Sequence, residues 1–104
     1  MGMRIWLDDV RPMPIIGFDI HCETARAALK IIEKGQCDFI SFDHDLGDPL
    51  DGYWLATCIE NLAWAGKVNC FEWDIHSDNP AGRKNIRAAM LSAERYWNKN
   101  ETNS

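Results

Sequence analysis

Short apolar runs along the chain predict four strands. Met3–Leu7 is mostly apolar, and Asp38–Phe42 is apolar without clean alternation, as expected of a strand that is covered on both faces. Within Asn69–Ile75, apolar residues alternate with acidic ones, which predicts a strand at a sheet edge or on a face with incomplete cover. A weaker stretch, Phe18–Cys22, predicts the remaining strand.

Three segments have the spacing of amphipathic helices. The first is predicted over Thr24–Lys34, with the threonine as N-cap and Gly35 as the stop. The second is predicted over Gly52–Ala65. The third begins at Asn79-Pro80, an N-cap followed by a proline at the first helical position. Its predicted buried face consists of Ile86, Ala89, Met90, Ala93 and Trp97.

The order of these elements predicts an α/β fold. Helices lie between the later strands as crossovers, which parallel strands require and which are almost always right-handed. We therefore expect a small doubly wound, mostly parallel sheet. The 104 residues suit one domain over residues 1–98, followed by a short polar tail over 99–104.

Composition narrows the functional classes. Hydrophobic residues make up 46% of the chain, enough for a packed core, and the formal net charge is −5. This charge argues against binding to extended nucleic-acid duplexes, but a small anionic substrate is possible if a metal ion supplies local positive charge. The four cysteines lack zinc-ligand spacing and are expected to be free thiols in a reducing cytoplasm, and no apolar run has membrane length.

Polar clusters follow three of the predicted strands. Ligands bind outside the carboxyl ends of strands in open α/β sheets, so we expect these clusters to form one site. Asp8, Asp9 and Asp43 are its predicted metal ligands, because adjacent carboxylates repel one another unless a cation such as Mg²⁺ or Mn²⁺ neutralises them. The alternative is that Asp8 or Asp9 caps a turn.

Histidines and further polar residues complete the predicted site. His76 is the candidate general acid or base, since its pKa lies near neutrality. Asp45 lies on the side of Asp43 if the strand continues that far, and it could ligate the metal, orient an imidazole or cap a turn. His44 would then point the other way, with a functional and a structural role equally open, and His21 is expected to be remote.

The start of the third helix is the predicted phosphate-binding element. Helix N-termini present free N–H groups and a positive dipole end. Asn79, Gly82 and Arg83 lie there, and Arg83 could make bidentate contacts to phosphate oxygens. Arg11 could do the same, or it could pair with Asp9 or another site carboxylate as a scaffold.

The chain resembles response-regulator receiver domains. Its acidic pair, the aspartate that ends the central strand and the following loop up to Asp51-Gly52 are similar to theirs. It departs from them in Gly47, where receivers favour proline, and in a loop that is one residue longer. It also lacks the full first helix of a receiver. The fifth strand, which carries a lysine in receivers, and the helix after it are missing as well. The resemblance implies a flavodoxin-like sheet of strand order 2-1-3-4, with the third helix on the face that the missing first helix leaves bare. It also implies that Ser77 is a hydroxyl that contacts phosphoryl oxygen; the alternative is a serine that hydrogen-bonds to its own backbone at a turn.

A closer resemblance is to the small cyclic-phosphate-processing receiver-like domains. Four motifs carry it, in the same order: Trp6–Pro12, Ser41–Gly47, Gly52-Tyr53 and His76–Arg83. The resemblance implies a metal-assisted phosphoesterase or a phosphate-binding domain that acts on cyclic phosphates of RNA ends or nucleotides.

The leading hypothesis is metal-assisted hydrolysis of a cyclic phosphate. The metal would activate phosphate and water, His76 would protonate the leaving oxygen with Asp45 and Ser77 in supporting catalytic roles, and Arg83 would hold phosphate oxygens. One alternative is a phosphoacceptor or phosphate-binding module centred on Asp43. Another is an interaction protein, such as a phage or host-defence factor that sequesters a nucleotide signal without turnover.

Overall fold

The structure, a computed structural model, describes residues 2–102. Its sheet has four parallel strands in the order β2-β1-β3-β4, which confirms the predicted receiver-like α/β topology. The edge position predicted for the last strand is also confirmed. The two edge strands begin later than predicted. The strands are β1 (Met3–Leu7), β2 (Ile20–Cys22), β3 (Cys37–Phe42) and β4 (Glu72–Ile75).

Three helices connect or follow these strands, namely α1 (Ala25–Glu33), α2 (Gly52–Trp64) and α3 (Pro80–Thr102). Thr24 caps α1 through its hydroxyl, which accepts a hydrogen bond from the Ala27 amide at 3.2 Å. α3 continues through the predicted polar tail as far as Thr102, and residues 103–104 lie outside the described residues. The division into one domain and a tail stays a prediction.

All three helices pack on one face of the sheet. The strands contribute Ile5, Leu7, Ile40, Phe42 and Ile75 to a single hydrophobic core, and the helices close over it. The side chains predicted for the buried face of α3 all belong to this core: Ile86, Ala89, Met90, Ala93 and Trp97. α3 lies alongside α2 and also contacts β4. This face therefore holds most of the buried apolar surface that stabilises the fold.

The expected position of α3 is wrong. We predicted it on the face that the missing first helix of a receiver would cover, but it packs on the same face as α1 and α2. Right-handed crossovers place both of those helices on one side of the sheet, and α3 gains most apolar contact by lying along α2. The second layer of the doubly wound arrangement is therefore a loop.

The loop between β1 and β2 covers part of the other face. Phe18 packs edge-on against Trp6, with ring centroids 5.1 Å apart, and against Phe39 at 5.8 Å. The indole of Trp6 donates to the Arg11 carbonyl at 3.1 Å, which ties the loop down near the strand end. The tip of the loop projects into solvent, because Ile15 is fully exposed. Across residues 2–102, the helices are too short or too polar to span a bilayer.

Candidate functional site

The backbone ladder of the sheet continues one residue beyond three of the strands. The Asp8 amide donates to the Cys22 carbonyl at 3.1 Å, Asp43 to Leu7 at 2.9 Å, and His76 to Phe42 at 2.9 Å. Because side chains alternate between faces, Asp8, Asp43 and His76 all lie on the loop-covered face. The sheet therefore fixes the backbone of these three site residues.

Three carboxylates meet at this edge of the sheet. Asp8, Asp9 and Asp43 each offer an oxygen atom, and these atoms all lie within 4.8 Å of one another. Asp8 has no exposed surface, and Asp43 is 8% exposed. The residues predicted as metal ligands are thus brought together, two of them in a buried position.

Asp8 is held at both oxygens. Its Oδ1 atom accepts hydrogen bonds from the amides of Val10 at 2.8 Å and Arg11 at 2.7 Å. Its Oδ2 atom lies 2.9 Å from His76 Nε2. Burial raises the pKa of Asp8, but these hydrogen bonds outweigh that effect and leave the pKa below its ordinary value. Asp8 therefore does cap a turn, and it carries a stabilised negative charge.

The pKa of Asp43 is shifted in the opposite direction from that of Asp8. Burial and the charge of Asp8 raise its pKa, although the His44 amide, which donates to Oδ1 at 2.9 Å, and the Ser77 hydroxyl partly oppose the rise. Gly52 allows close packing here, because a Cβ atom at that position would lie 2.1 Å from the Asp43 carbonyl oxygen. The ionised form of Asp43 thus lacks sufficient compensation from the described residues.

Asp9 lies against a glycine turn. Gly47 has a φ of +61°, which favours glycine, and a Cβ atom there would lie 2.8 Å from Asp9 Oδ2. A larger residue at position 47 would press on this carboxylate. Gly47, where receivers favour proline, is therefore compatible with the position of Asp9.

His76 lies next to the acidic cluster with both ring nitrogens engaged. Nε2 faces Asp8, and Nδ1 is 2.8 Å from the hydroxyl of Ser41. The ring stacks on Trp6, with centroids 3.8 Å apart and planes 7° from parallel. Ser41 was not among the predicted site residues. The available signal was its position two residues before Asp43, which places both side chains on one face.

His21 is not remote, and that expectation is wrong. Its Nε2 atom lies 2.7 Å from the carbonyl oxygen of Asp8, to which it can donate a hydrogen bond. The register explains this contact, because His21 pairs with Trp6 across the β1–β2 ladder and shares its face. The chain pattern placed His21 in a strand but gave no register.

A second polar cluster surrounds His44. Its Nδ1 atom lies 2.8 Å from Asp45 Oδ1, and its Nε2 atom lies 3.4 Å from Asp51 Oδ2. A Cβ atom on Gly82 would lie 2.3 Å from the ring, so the glycine permits this close approach. β3 ends at Phe42, so the condition for placing Asp45 beside Asp43 is not met. Of the three roles left open for Asp45, its contacts fit the orientation of an imidazole.

Two of the first amides of α3 are hydrogen-bonded to oxygens of Asn79. Asn79 Oδ1 accepts from the Gly82 amide at 2.9 Å, which confirms the predicted N-cap, and the Asn79 carbonyl accepts from the Arg83 amide at 2.8 Å. Proline at position 80 has no N–H to offer. Few amides of this first turn are therefore left to receive a phosphate, and the predicted binding roles of Asn79 and Gly82 stay predictions.

Both predicted phosphate-binding arginines contact the backbone after β4. Arg83 Nη1 donates to the carbonyls of Ile75 at 3.1 Å and Ser77 at 3.0 Å. Arg11 donates to the His76 carbonyl at 2.7 Å and forms an ion pair with Asp78. For Arg11 these contacts fit the scaffold alternative, with Asp78 as the partner. Binding of phosphate by either arginine stays a prediction.

The acidic cluster fits a hard divalent cation. Its donors are all carboxylate oxygens, which Mg²⁺ and Mn²⁺ prefer, and three of them are close enough to share one ion. The raised pKa of Asp43 follows from the same arrangement, because burial and the negative charge of Asp8 both disfavour its ionised form. A cation on Asp8, Asp9 and Asp43 would remove that repulsion.

Fold and site together define a receiver-like α/β protein with an acidic cluster at the carboxyl edge of its sheet. Comparison with protein families agrees, since a model of the cyclic-phosphate processing receiver domain matches residues 3–92. The chain belongs to this family. In the same comparisons, neither a curated protein nor a solved structure matched.

Proposed function

We propose that this protein binds a divalent cation on Asp8, Asp9 and Asp43 and uses the site to process cyclic phosphates. The observation that carries the proposal is the meeting of these three carboxylates, two of them buried, at the ligand-binding edge of the sheet. The family name supplies the class of substrate, a cyclic phosphate. We propose that this group is either the end of an RNA or part of a cyclic nucleotide.

The chain has a net charge of −5, so attraction of a phosphate to this acidic edge requires added positive charge. When bound, Mg²⁺ or Mn²⁺ would supply it and would polarise a phosphoryl oxygen. The protein's own contribution is to hold the three carboxylates in place before the ion arrives. For Asp8, the turn amides and His76 supply that restraint.

The Ser77 hydroxyl is proposed to lie next to the substrate. Ser77 is nearly buried, its hydroxyl accepts a hydrogen bond from the Asn79 amide at 3.2 Å, and it partly opposes the raised pKa of Asp43, so it lies at the edge of the acidic cluster. His44 and Asp45 would line the neighbouring side. For His76 to protonate a leaving oxygen, as the sequence predicts, its Nε2 atom would have to exchange the contact with Asp8 for one with the substrate.

Phosphorus NMR on a panel of cyclic phosphates tests the proposal. The panel contains 2′,3′-cyclic RNA ends, 3′,5′-cyclic nucleotides and cyclic dinucleotides, each with Mg²⁺, with Mn²⁺ and with a chelator. We expect cation-dependent turnover that Asp43→Asn abolishes. Asp38→Asn is the matched control, because it makes the same charge change at an exposed position near the other end of β3. Turnover that survives the chelator would contradict the cation requirement.

A second candidate is a phosphoacceptor module. The contact between the Ser77 hydroxyl and Asp43 favours it, because receivers resemble this chain in placing a hydroxyl near their phosphoryl site. Incubation with acetyl phosphate would then add a phosphoryl group that is detected by intact mass and is lost in Asp43→Asn. Resonance shifts in the NMR panel without turnover or labelling would instead indicate a binding protein.

A further inference from the structure

Asp8 is the most restrained member of the acidic cluster, and His76 supplies the restraint at one of its oxygens. Oδ1 is already occupied by two turn amides, and Oδ2 receives the imidazole Nε2 at 2.9 Å. With no exposed surface, Asp8 has no bulk water to replace a lost partner. The direction of the second carboxylate oxygen therefore depends on His76.

Asp8 and Ser41 each engage one ring nitrogen of His76. An ionised carboxylate only accepts hydrogen bonds, so the Nε2 atom that faces Asp8 must carry a proton. Nδ1 of the neutral ring is then an acceptor, and the Ser41 hydroxyl, 2.8 Å away, can donate to it. Stacking on Trp6 holds the ring plane. The three side chains form a directed chain from Ser41 through His76 to Asp8.

Burial argues against a direct chemical role for Ser41. It is 4% exposed, and it lies on the sheet surface in the row of Trp6 rather than at the strand end. It is also the one hydroxyl within the apolar run Phe39–Phe42. A buried hydroxyl needs a hydrogen-bond partner, and His76 provides it.

We infer that Ser41 and His76 are positioning residues that orient Asp8 for the cation. The inference rests on the proposed function in that it takes Asp8 as a ligand. It assigns His76 a role different from that of the proton donor predicted from the sequence. Mutation of a residue that hydrogen-bonds to a metal ligand typically lowers metal affinity by about 10–100-fold.

The first test removes the hydroxyl. Ser41→Ala is expected to weaken Mn²⁺ binding, measured by calorimetry, by about tenfold, while Ser41→Thr, which keeps a hydroxyl, recovers much of the loss. Ser92→Ala, at a half-buried position of α3 outside the described site, is the control. In the metal-free protein, nitrogen-15 spectra of the His76 ring should show the Nε2–H tautomer, and Ser41→Ala should shift the Nδ1 resonance, because that nitrogen loses its hydrogen bond. Unchanged affinity in Ser41→Ala would overturn the inference.

The second test separates positioning from proton transfer. The glutamine in His76→Gln can place an N–H near the Nε2 position but cannot act as a titrating acid, whereas His76→Ala removes the donor. We expect His76→Gln to retain more Mn²⁺ affinity and more turnover than His76→Ala. If His76→Ala binds Mn²⁺ as tightly as the unaltered protein does while both variants lose turnover, His76 is the proton donor and the inference is wrong.

The two proposals fail in different ways. Mn²⁺ binding that depends on Ser41, without turnover of any cyclic phosphate, would contradict the proposed enzyme but support the positioning role. Absence of Mn²⁺ binding by the unaltered protein would overturn both. If His76→Ala does not fold, as judged by its thermal transition, Ser41→Ala and His76→Gln still decide the question.

Discussion

The two faces of the sheet are built from the same strands but differ in composition. In β3, Ile40 and Phe42 enter the core beneath the helices, whereas Ser41 and the following Asp43 face the loop side. The helical face is continuous and apolar, and the loop face holds hydrogen-bonded polar groups next to a small aromatic cluster. Because side chains alternate along the strand, residues that stabilise the core lie next to residues of the candidate site. Substitutions at neighbouring positions should therefore have different effects on the free energy of unfolding.

The largest expected loss of stability comes from a substitution on the helical face. Phe42→Ala should lower the free energy of unfolding by about 3–5 kcal/mol, because Phe42 has no exposed surface and its removal leaves a cavity. Urea denaturation measures the change. Phe39→Ala, on the loop face, should cost less because Phe39 is only partly buried beside Phe18. An equal or larger loss in Phe39→Ala would contradict the proposed division between the faces.

In the presence of a chelator, Asp43→Asn should instead raise the free energy of unfolding. Burial and the Asp8 charge raise the pKa of Asp43, so at pH 7 the folded protein carries a charge that destabilises it relative to the unfolded chain. Asparagine removes that charge, and the variant should unfold at higher urea concentration. The same change should weaken Mn²⁺ binding by more than the roughly 10–100-fold expected for a partner of a ligand.

The pH dependence checks the sign of this effect. As pH falls from 7 through the raised pKa toward the ordinary value of 3.8, the folded protein takes up the Asp43 proton before the unfolded chain does. The unaltered protein then recovers stability, and its difference from Asp43→Asn should shrink. A difference that stays constant between pH 7 and pH 4 would count against the electrostatic origin.

The smallest expected effect is at the tip of the covering loop. Ile15 is apolar but fully exposed, so Ile15→Ser should leave the urea midpoint unchanged within error. A clear loss of stability in Ile15→Ser would mean that the loop tip packs against the protein in solution.

Local signals in the sequence predicted the elements and their caps. The spacing of apolar residues located α1 and α2, and Thr24 and Asn79 cap their helices through the expected side-chain oxygens. The three acids at strand ends were also predictable, because carboxyl ends of parallel strands share one edge. These inferences need only neighbouring residues and a general rule about sheets.

Contacts between distant residues were not predictable in this way. Arg11 pairs with Asp78, 67 positions later, and His21 reaches the Asp8 carbonyl only because of the register of β2. The placement of α3 depends on how much apolar surface α2 offers. The contact of Ser41 with His76, 35 positions later, likewise depends on the register of the strands.

The hydrogen-bond ladder beyond the strands also bears on how the site can open. The amides of Asp8, Asp43 and His76 each donate to a carbonyl on an adjacent strand. Their exchange with deuterium therefore requires that sheet pairing open at that edge, which a rearrangement of the exposed loop does not cause. This edge is preorganised, so the proposed cation would lose little affinity to the ordering of the backbone.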